Sequence, residues 1–145
     1  MAQTQSLKGK VALVTGGSRG IGAASARALA DEGASVAISY VASPEKAEAL
    51  VAELRGKGVQ AQAFKADQAN PAAVDQLVKD VAKHFGRLDI LVNNAGVAIT
   101  GAIDDPKSDV AAFDRQYAIN LDGVIAAIRS ASKLMGDGGR IVTIG

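Results

Sequence analysis

Apolar positions along the chain fall into short continuous runs separated by longer stretches with helical spacing. Val11-Ala12-Leu13-Val14 is four apolar residues in a row, which predicts a strand buried on both faces, as in a parallel sheet. Glycines between Thr15 and Gly22 break the run. Ile21 to Glu32 then turns to Ala, Leu and Arg and stops at Gly33, where a helix C-terminal glycine belongs. Ser35 to Tyr40 is again β-like, and Ser43-Pro44 reads as an N-cap with proline at the first helical position. Ala47, Leu50, Val51 and Leu54 trace one face of that helix. Gln60 to Ala66 predicts a third strand, and Asn70-Pro71 repeats the cap-and-proline signal ahead of Val74, Leu77, Val78, Val81 and Phe85. Gly86 ends this helix. Leu88 to Val92 predicts a fourth strand, and Arg140 to Ile144 a fifth. Between them one long helix is expected from about Ser108 to Met135, through Phe113, Tyr117, Val124, Ile125 and Ile128. Strands alternating with helices predict an α/β fold, a doubly wound parallel sheet with right-handed crossovers and helices on both faces. No linker, repeat or low-complexity segment divides residues 1–145, so a single domain is expected.

Composition restricts the chemistry. With no cysteine and one histidine, His84, the chain offers no disulfide framework, thiolate zinc site, cysteine nucleophile or multi-histidine metal cluster. Basic and acidic side chains number 16 and 15, without a basic block, so neither nucleic acid nor an anionic membrane is an expected partner. The start, Met1 to Ser6, is polar and lacks the apolar stretch of a signal peptide, and no run reaches membrane-spanning length; a cytoplasmic protein is expected. His84, beside Lys83 late in the third helix, reads as a surface or helix-end residue. Asp104 and Asp105 read as turn and helix-entry residues, with no metal site expected. Sixteen glycines, plentiful alanine and only 3% aromatic residues favour close backbone approach, either of helices to the sheet or of the chain to a ligand.

The strongest chemical signal is Thr15-Gly16-Gly17-Ser18-Arg19-Gly20-Ile21-Gly22, between the first strand and the first helix. Taken alone it also fits an ordinary glycine-rich turn. Between strand and helix it fits a nucleotide-binding unit, in which one glycine permits the tight turn and others admit a pyrophosphate and let the helix pack on the sheet. Gly16, Gly20 and Gly22 can fill those roles. The spacing Thr-Gly-x-x-x-Gly-x-Gly, with Asn93-Asn94-Ala95-Gly96 after the fourth strand and Asn120-Leu121-Asp122-Gly123 in the long helix, resembles the classical short-chain dehydrogenase/reductase family. The resemblance runs from Lys10 to Gly145 and includes Gly138-Gly139-Arg140-Ile141-Val142 before the fifth strand.

That resemblance implies a Rossmann-like sheet of five strands in the order 3-2-1-4-5. It implies a nicotinamide cofactor held by Gly16, Ser18, Arg19, Gly20, Ile21, Gly22, Tyr40, Ser43, Asp67, Gln68, Asn94, Ala95 and Gly96, with Asp67 at the adenine position. Asn120 matches the asparagine of the family's catalytic group, while Asn93 reads as a tie between strands. Charge favours NADP(H) over NAD(H): Ser39-Tyr40-Val41-Ala42-Ser43 places no carboxylate at the end of the second strand, and Arg19 adds a cation suited to a 2′-phosphate. Arg19 could also be a solvated surface arginine, Tyr40 an edge residue and Ser43 a plain helix cap.

The implied reaction interconverts a ketone and a secondary alcohol, with 3-oxoacyl thioesters, sugars and polyols among the substrate classes, in an enzyme that commonly self-associates. The family's later serine and Tyr-x-x-x-Lys pair have no match here: Tyr40 and Tyr117 are followed four residues on by Pro44 and Leu121. The chain therefore reads as the N-terminal, cofactor-binding part of a longer reductase, truncated after strand five and inactive alone. In that case strand five presents an unpaired edge, and Ile119, Ala126, Ala127 and Ala131 lose part of their cover. A non-catalytic NADP(H)-binding or interaction module is the alternative. A methyltransferase-like domain also has a glycine loop after its first strand, but expects an acidic residue after its second.

Overall fold

The computed structural model describes residues 5–145, so the first four residues of the polar start lie outside it. Along the chain come β1 (Val11–Val14), α1 (Gly20–Asp31), β2 (Ser35–Tyr40), α2 (Pro44–Gly56), β3 (Ala61–Lys65) and α3 (Pro71–Phe85). They are followed by β4 (Ile90–Asn93), α4 (Val110–Tyr117), a π turn (Ala118–Asp122), α5 (Gly123–Leu134) and β5 (Arg140–Thr143). All strand pairs are parallel, in the order β3-β2-β1-β4-β5 expected from the family resemblance.

Alternation along the strands divides the core in two. Val14, Val36, Ile38 and Val92 face α1 and α2, whereas Val11, Leu13, Ala37 and Leu91 face α3 and α5. The buried side of α1 is Gly22, Ala23, Ala26 and Ala30, small residues that let its backbone lie close to the sheet. The order reverses between β1 and β4: the chain leaves β1 toward β2 on one side and leaves β4 toward β5 on the other. A crevice outside the carboxyl ends of β1 and β4 follows from that geometry.

Three expectations need correction. The long helix is not one regular α-helix, because the π turn at Ala118–Asp122 interrupts it. Residues 115, 119, 123, 127 and 131 follow a spacing of four, which drifts by about 40° per step in a regular α-helix. The wider π turn takes up part of that drift and keeps Ile119, Gly123, Ala127 and Ala131 on the buried face. Accordingly Ile119, Ala127 and Ala131 are covered and Ala126 is half-buried, while exposed apolar residues of this stretch include Val110, Tyr117, Leu121, Ile125 and Leu134. The fourth strand begins at Ile90 instead of Leu88, although the Asp89 backbone already bonds to both sides, its N donating to Val11 O and its O accepting from Arg140 N at 2.9 Å each; its Oδ2 accepts from Val11 N at 2.9 Å and both its side-chain oxygens accept from Arg87 at 2.7 Å.

Every residue of β5 is exposed, consistent with its edge position. Asn93 does tie strands together, its Nδ2 donating to Thr143 Oγ1 across β4 and β5 at 3.4 Å. Among the described residues no helix is long and apolar enough to cross a membrane.

Candidate functional site

The turns after β1, β2, β3 and β4 converge on a cleft of about 490 Å³. Three polar side chains, the buried Thr15 and Ser39 and the half-buried Asn94, fix its walls. Thr15 Oγ1, at the end of β1, donates to Val92 O at 3.4 Å and accepts from the amides of Asn94 and Ala95 at 3.1 Å each. In return Asn94 Nδ2 donates to Thr15 O and Gly16 O, both at 3.1 Å. On the other side Ser39 Oγ accepts from Gly16 N and Ser39 O from Gly17 N, each at 3.1 Å. The glycine turn is thus bound to β2 and to the Asn94-Ala95-Gly96 segment before any ligand arrives.

The motif's glycines serve different needs. Gly16 has φ +62, and a Cβ there would lie 2.9 Å from Ala95 Cα, so both its turn and the close crossing of two chain segments exclude a side chain. Gly20 has φ +56, lines the cleft, and has nothing within 4 Å of a Cβ position; the space beside it is open to a ligand. Gly22, on the buried side of α1, faces the turn that precedes the helix. A Cβ there would sit 2.5 Å from Gly16 O and collide with Asn94 Nδ2, so it makes room for the Asn94 amide. Gly17, absent from the expected site, plays a packing part, since its Cβ would fall 2.7 Å from Ile38 Cγ2.

Arg19 occupies the N-cap of α1 in an extended conformation without a side-chain cap, and the first turn carries no acidic residue. The leading amides of α1 are therefore unclaimed within the helix and, with its dipole, form a site for an anion. Ser43, expected to cap α2, makes no capping bond; unlike Asn70, whose Oδ1 accepts from Ala72 and Ala73, it lines the cleft. Tyr40, Ser18 and Ile21 line it as well, as do Asn94, Ala95 and Gly96.

Two cations, Arg19 and Arg115, belong to the wall, and no Asp or Glu does. Asp67 does not line the cleft; its Oδ1 accepts from Ala69 N at 3.0 Å and pairs with Arg115 Nη2 at 3.5 Å. Gln68 does line it, but its carboxamide is buried without a hydrogen bond and lies beside Gly123, where a Cβ would be 2.7 Å from Nε2. Asn120 sits in the π turn outside the cleft wall. Its Oδ1 accepts from Val97 N at 2.9 Å and its Nδ2 donates to Val97 O at 2.7 Å, so both ends of the amide hold the strand-like segment that follows Gly96.

Thr15, Ser39 and Arg115 went unrecognised as site residues in the sequence. The signal for the first two is a polar residue closing an otherwise apolar strand; for Arg115 no local signal exists. His84 packs edge-on against Phe64 and Phe85, with ring centroids 5.9 and 4.6 Å away. Asp105 Oδ1 accepts from Lys107 N at 2.9 Å and shapes a turn before α4.

Known proteins are similar in sequence and in fold. Versicolorin reductase 1 of Aspergillus parasiticus is 42% identical over 142 residues, covering 98% of this chain and 53% of that protein. A short chain dehydrogenase of Burkholderia cenocepacia J2315, solved in complex with NADP, matches with a TM-score of 0.93 at 49% identity, over 97% of this chain and 56% of the other. The NADPH-dependent 3-quinuclidinone reductase of Rhodotorula rubra matches with a TM-score of 0.83 at 35% identity, over 90% of this chain and 49% of its own. The chain spans about half the length of the curated relatives it matches. A sequence model for short chain dehydrogenases covers residues 10–145, the same stretch that builds the sheet, the glycine turn and the Asn94 suture. On sequence and fold alike, the chain belongs to the short-chain dehydrogenase family.

Proposed function

We propose that the cleft binds NADP(H) in preference to NAD(H), and that the chain is the cofactor-binding part of an oxidoreductase acting on a small-molecule ketone or secondary alcohol. The observation that carries this reading is the charge of the wall, which holds two guanidinium groups and no carboxylate. A carboxylate after β2 would accept from ribose hydroxyls and repel a 2′-phosphate; Arg19, Ser18 and Ser43 instead supply donors and positive charge. The Burkholderia relative in complex with NADP and the NADPH-dependent Rhodotorula relative support the same choice.

The residues present fit such a cofactor, because the Cβ position of Gly20 is open and the first-turn amides of α1 lack helical partners. When bound, the nicotinamide supplies or accepts the hydride. The chain's own part is to bind and orient. Gly20, Ile21 and the α1 terminus receive the pyrophosphate, Arg19 with Tyr40 and Ser43 the 2′-phosphate, and Asp67 with Gln68 the base. Asn94-Ala95-Gly96 forms the wall beside the ribose and nicotinamide. Asn120 acts as a positioning residue by clamping Val97, directly after that wall. Self-association belongs to the same reading and is supported by the exposed Leu121, Ile125 and Leu134.

Calorimetric titration with NADPH and NADH tests the cofactor preference. Arg19→Ala is expected to weaken NADPH by about 1–3 kcal/mol, the range for a charge-assisted hydrogen bond, and to leave NADH nearly unchanged. Equal losses would overturn the 2′-phosphate assignment, and absence of binding by the parent protein would overturn the cofactor reading. Turnover of a carbonyl substrate by this chain would overturn the reading that it supplies the cofactor-binding part alone.

A further inference from the structure

Between Gly96 and Gly101 the chain has no regular secondary structure, and Val97 within this segment lines the cleft. Among the described residues its backbone hydrogen bonds all go to side chains of α4 and the π turn. Asn120 takes both polar groups of Val97, and Gln116 Oε1 accepts from Ile99 N. A third contact continues the series: a Cβ on Gly101 would lie 3.2 Å from Phe113 Cζ, so glycine there lets the ring lie against the backbone. Phe113, Gln116 and Asn120 stand at i, i+3 and i+7, one face of the helix. They meet Gly101, Ile99 and Val97, every second residue of the segment in reverse order. The spacings agree, since two extended residues cover about 6.6 Å and four helical steps rise about 6 Å.

The two amide side chains are not equivalent. Asn120 spends its donor and its acceptor on one residue, which fixes where Val97 sits but leaves the segment able to pivot about it. Gln116, half-buried on α4, supplies a second point two residues further on, and does so through its acceptor alone. Two points define the direction of the segment, and with it how the Val97 side chain stands in the cleft.

We propose that Gln116 is a positioning residue for the nicotinamide half of the dinucleotide, its acceptor oxygen setting the tilt of residues 97–99 and so of the wall that continues Asn94-Ala95-Gly96. The proposal rests on the NADP(H) reading of the cleft. It separates what the nicotinamide half feels from what the phosphate-bearing half feels.

The test is calorimetric titration of the parent protein, Gln116→Leu and Gln116→Glu with NADPH and with adenosine 2′,5′-bisphosphate, which carries the phosphate-bearing half and lacks the nicotinamide. The emission of bound NADPH is read alongside, because it reports the surroundings of the reduced nicotinamide. Gln116→Leu keeps the length and loses the acceptor; it is expected to weaken NADPH about 3- to 10-fold, as for one lost hydrogen bond. It should also move the emission toward that of free NADPH and leave the bisphosphate affinity unchanged. Gln116→Glu keeps an acceptor oxygen at the same reach and should restore both NADPH affinity and emission. Equal losses of NADPH and bisphosphate in Gln116→Leu would make Gln116 a support of the whole fold and overturn the proposal. Unchanged NADPH binding in Gln116→Leu would overturn it too, as would a Gln116→Glu variant as weak as Gln116→Leu. Failure of the parent protein to bind either ligand would overturn the cofactor reading and this proposal with it.

Discussion

Replacing Gly22 by alanine adds one methyl group at the most crowded point of the site. Its Cβ would stand 2.5 Å from Gly16 O and overlap Asn94 Nδ2, where carbon contacts relax only near about 3.5 Å. Gly16 O is backbone in a turn already held by Ser39, so the Asn94 side chain is the part able to move. Moving it breaks both 3.1 Å bonds, to Thr15 O and Gly16 O. Each carbonyl left without its donor costs about 1–3 kcal/mol, against which alanine in a helix gains only about 0.5–1 kcal/mol over glycine. The expected net loss is about 2–5 kcal/mol of folding stability.

Urea unfolding of Gly22→Ala measures this loss, and Gly20→Ala is the control from the same turn. Gly20 has open space around its Cβ position, so its substitution meets only the cost of a positive φ, about 1–2 kcal/mol. That variant should stay folded yet lose NADPH affinity, because the new methyl enters the cleft. Gly22→Ala should lose stability first, and combining it with Asn94→Ala should cost less than the two changes added together. An unfolding free energy for Gly22→Ala within about 0.5 kcal/mol of the parent would refute the reasoning.

Gly123→Ala is expected to cost about 1–3 kcal/mol by overpacking, since its Cβ would strike the Gln68 backbone oxygen; Gln68→Ala should relieve it only in part, as read by urea midpoints. Asp89 predicts a pH dependence. Burial alone would raise its pKa, but the Arg87 bonds, the Val11 amide and nearby positive charge outweigh that and hold it below the ordinary carboxylate value. The stabilisation is therefore complete above about pH 4 and drains as pH falls through the depressed folded-state value. Asp89→Asn should cost about 1.5–3 kcal/mol at neutral pH, with the difference closing in acid; a pH-independent difference in unfolding free energy would contradict it.

How much of this was legible from sequence depended on how local each cause is. The strand at Val11–Val14, the caps at Asn70-Pro71 and the glycine turn are set by neighbours within a few residues, and all appear where their pattern places them. The π turn was hidden, because apolar spacing alone does not separate a regular helix from one widened by a turn. Its signature lies in the bonds of Asn120 to Val97, 23 residues earlier. Thr15 and Ser39 escaped notice for a similar reason: Thr15 works through Asn94 and Ala95, 79 and 80 residues away, and a polar residue ending a strand has many ordinary explanations.

The same distinction orders the site itself. In the proposed reading phosphate binding falls to the turn after β1, where helix amides, glycines and Arg19 are adjacent in sequence, so a short motif suffices to announce it. Other parts of the wall come from separate elements, Arg115 among them from α4, and its pairing with Asp67 spans 48 residues. No short motif can encode a pairing over that span.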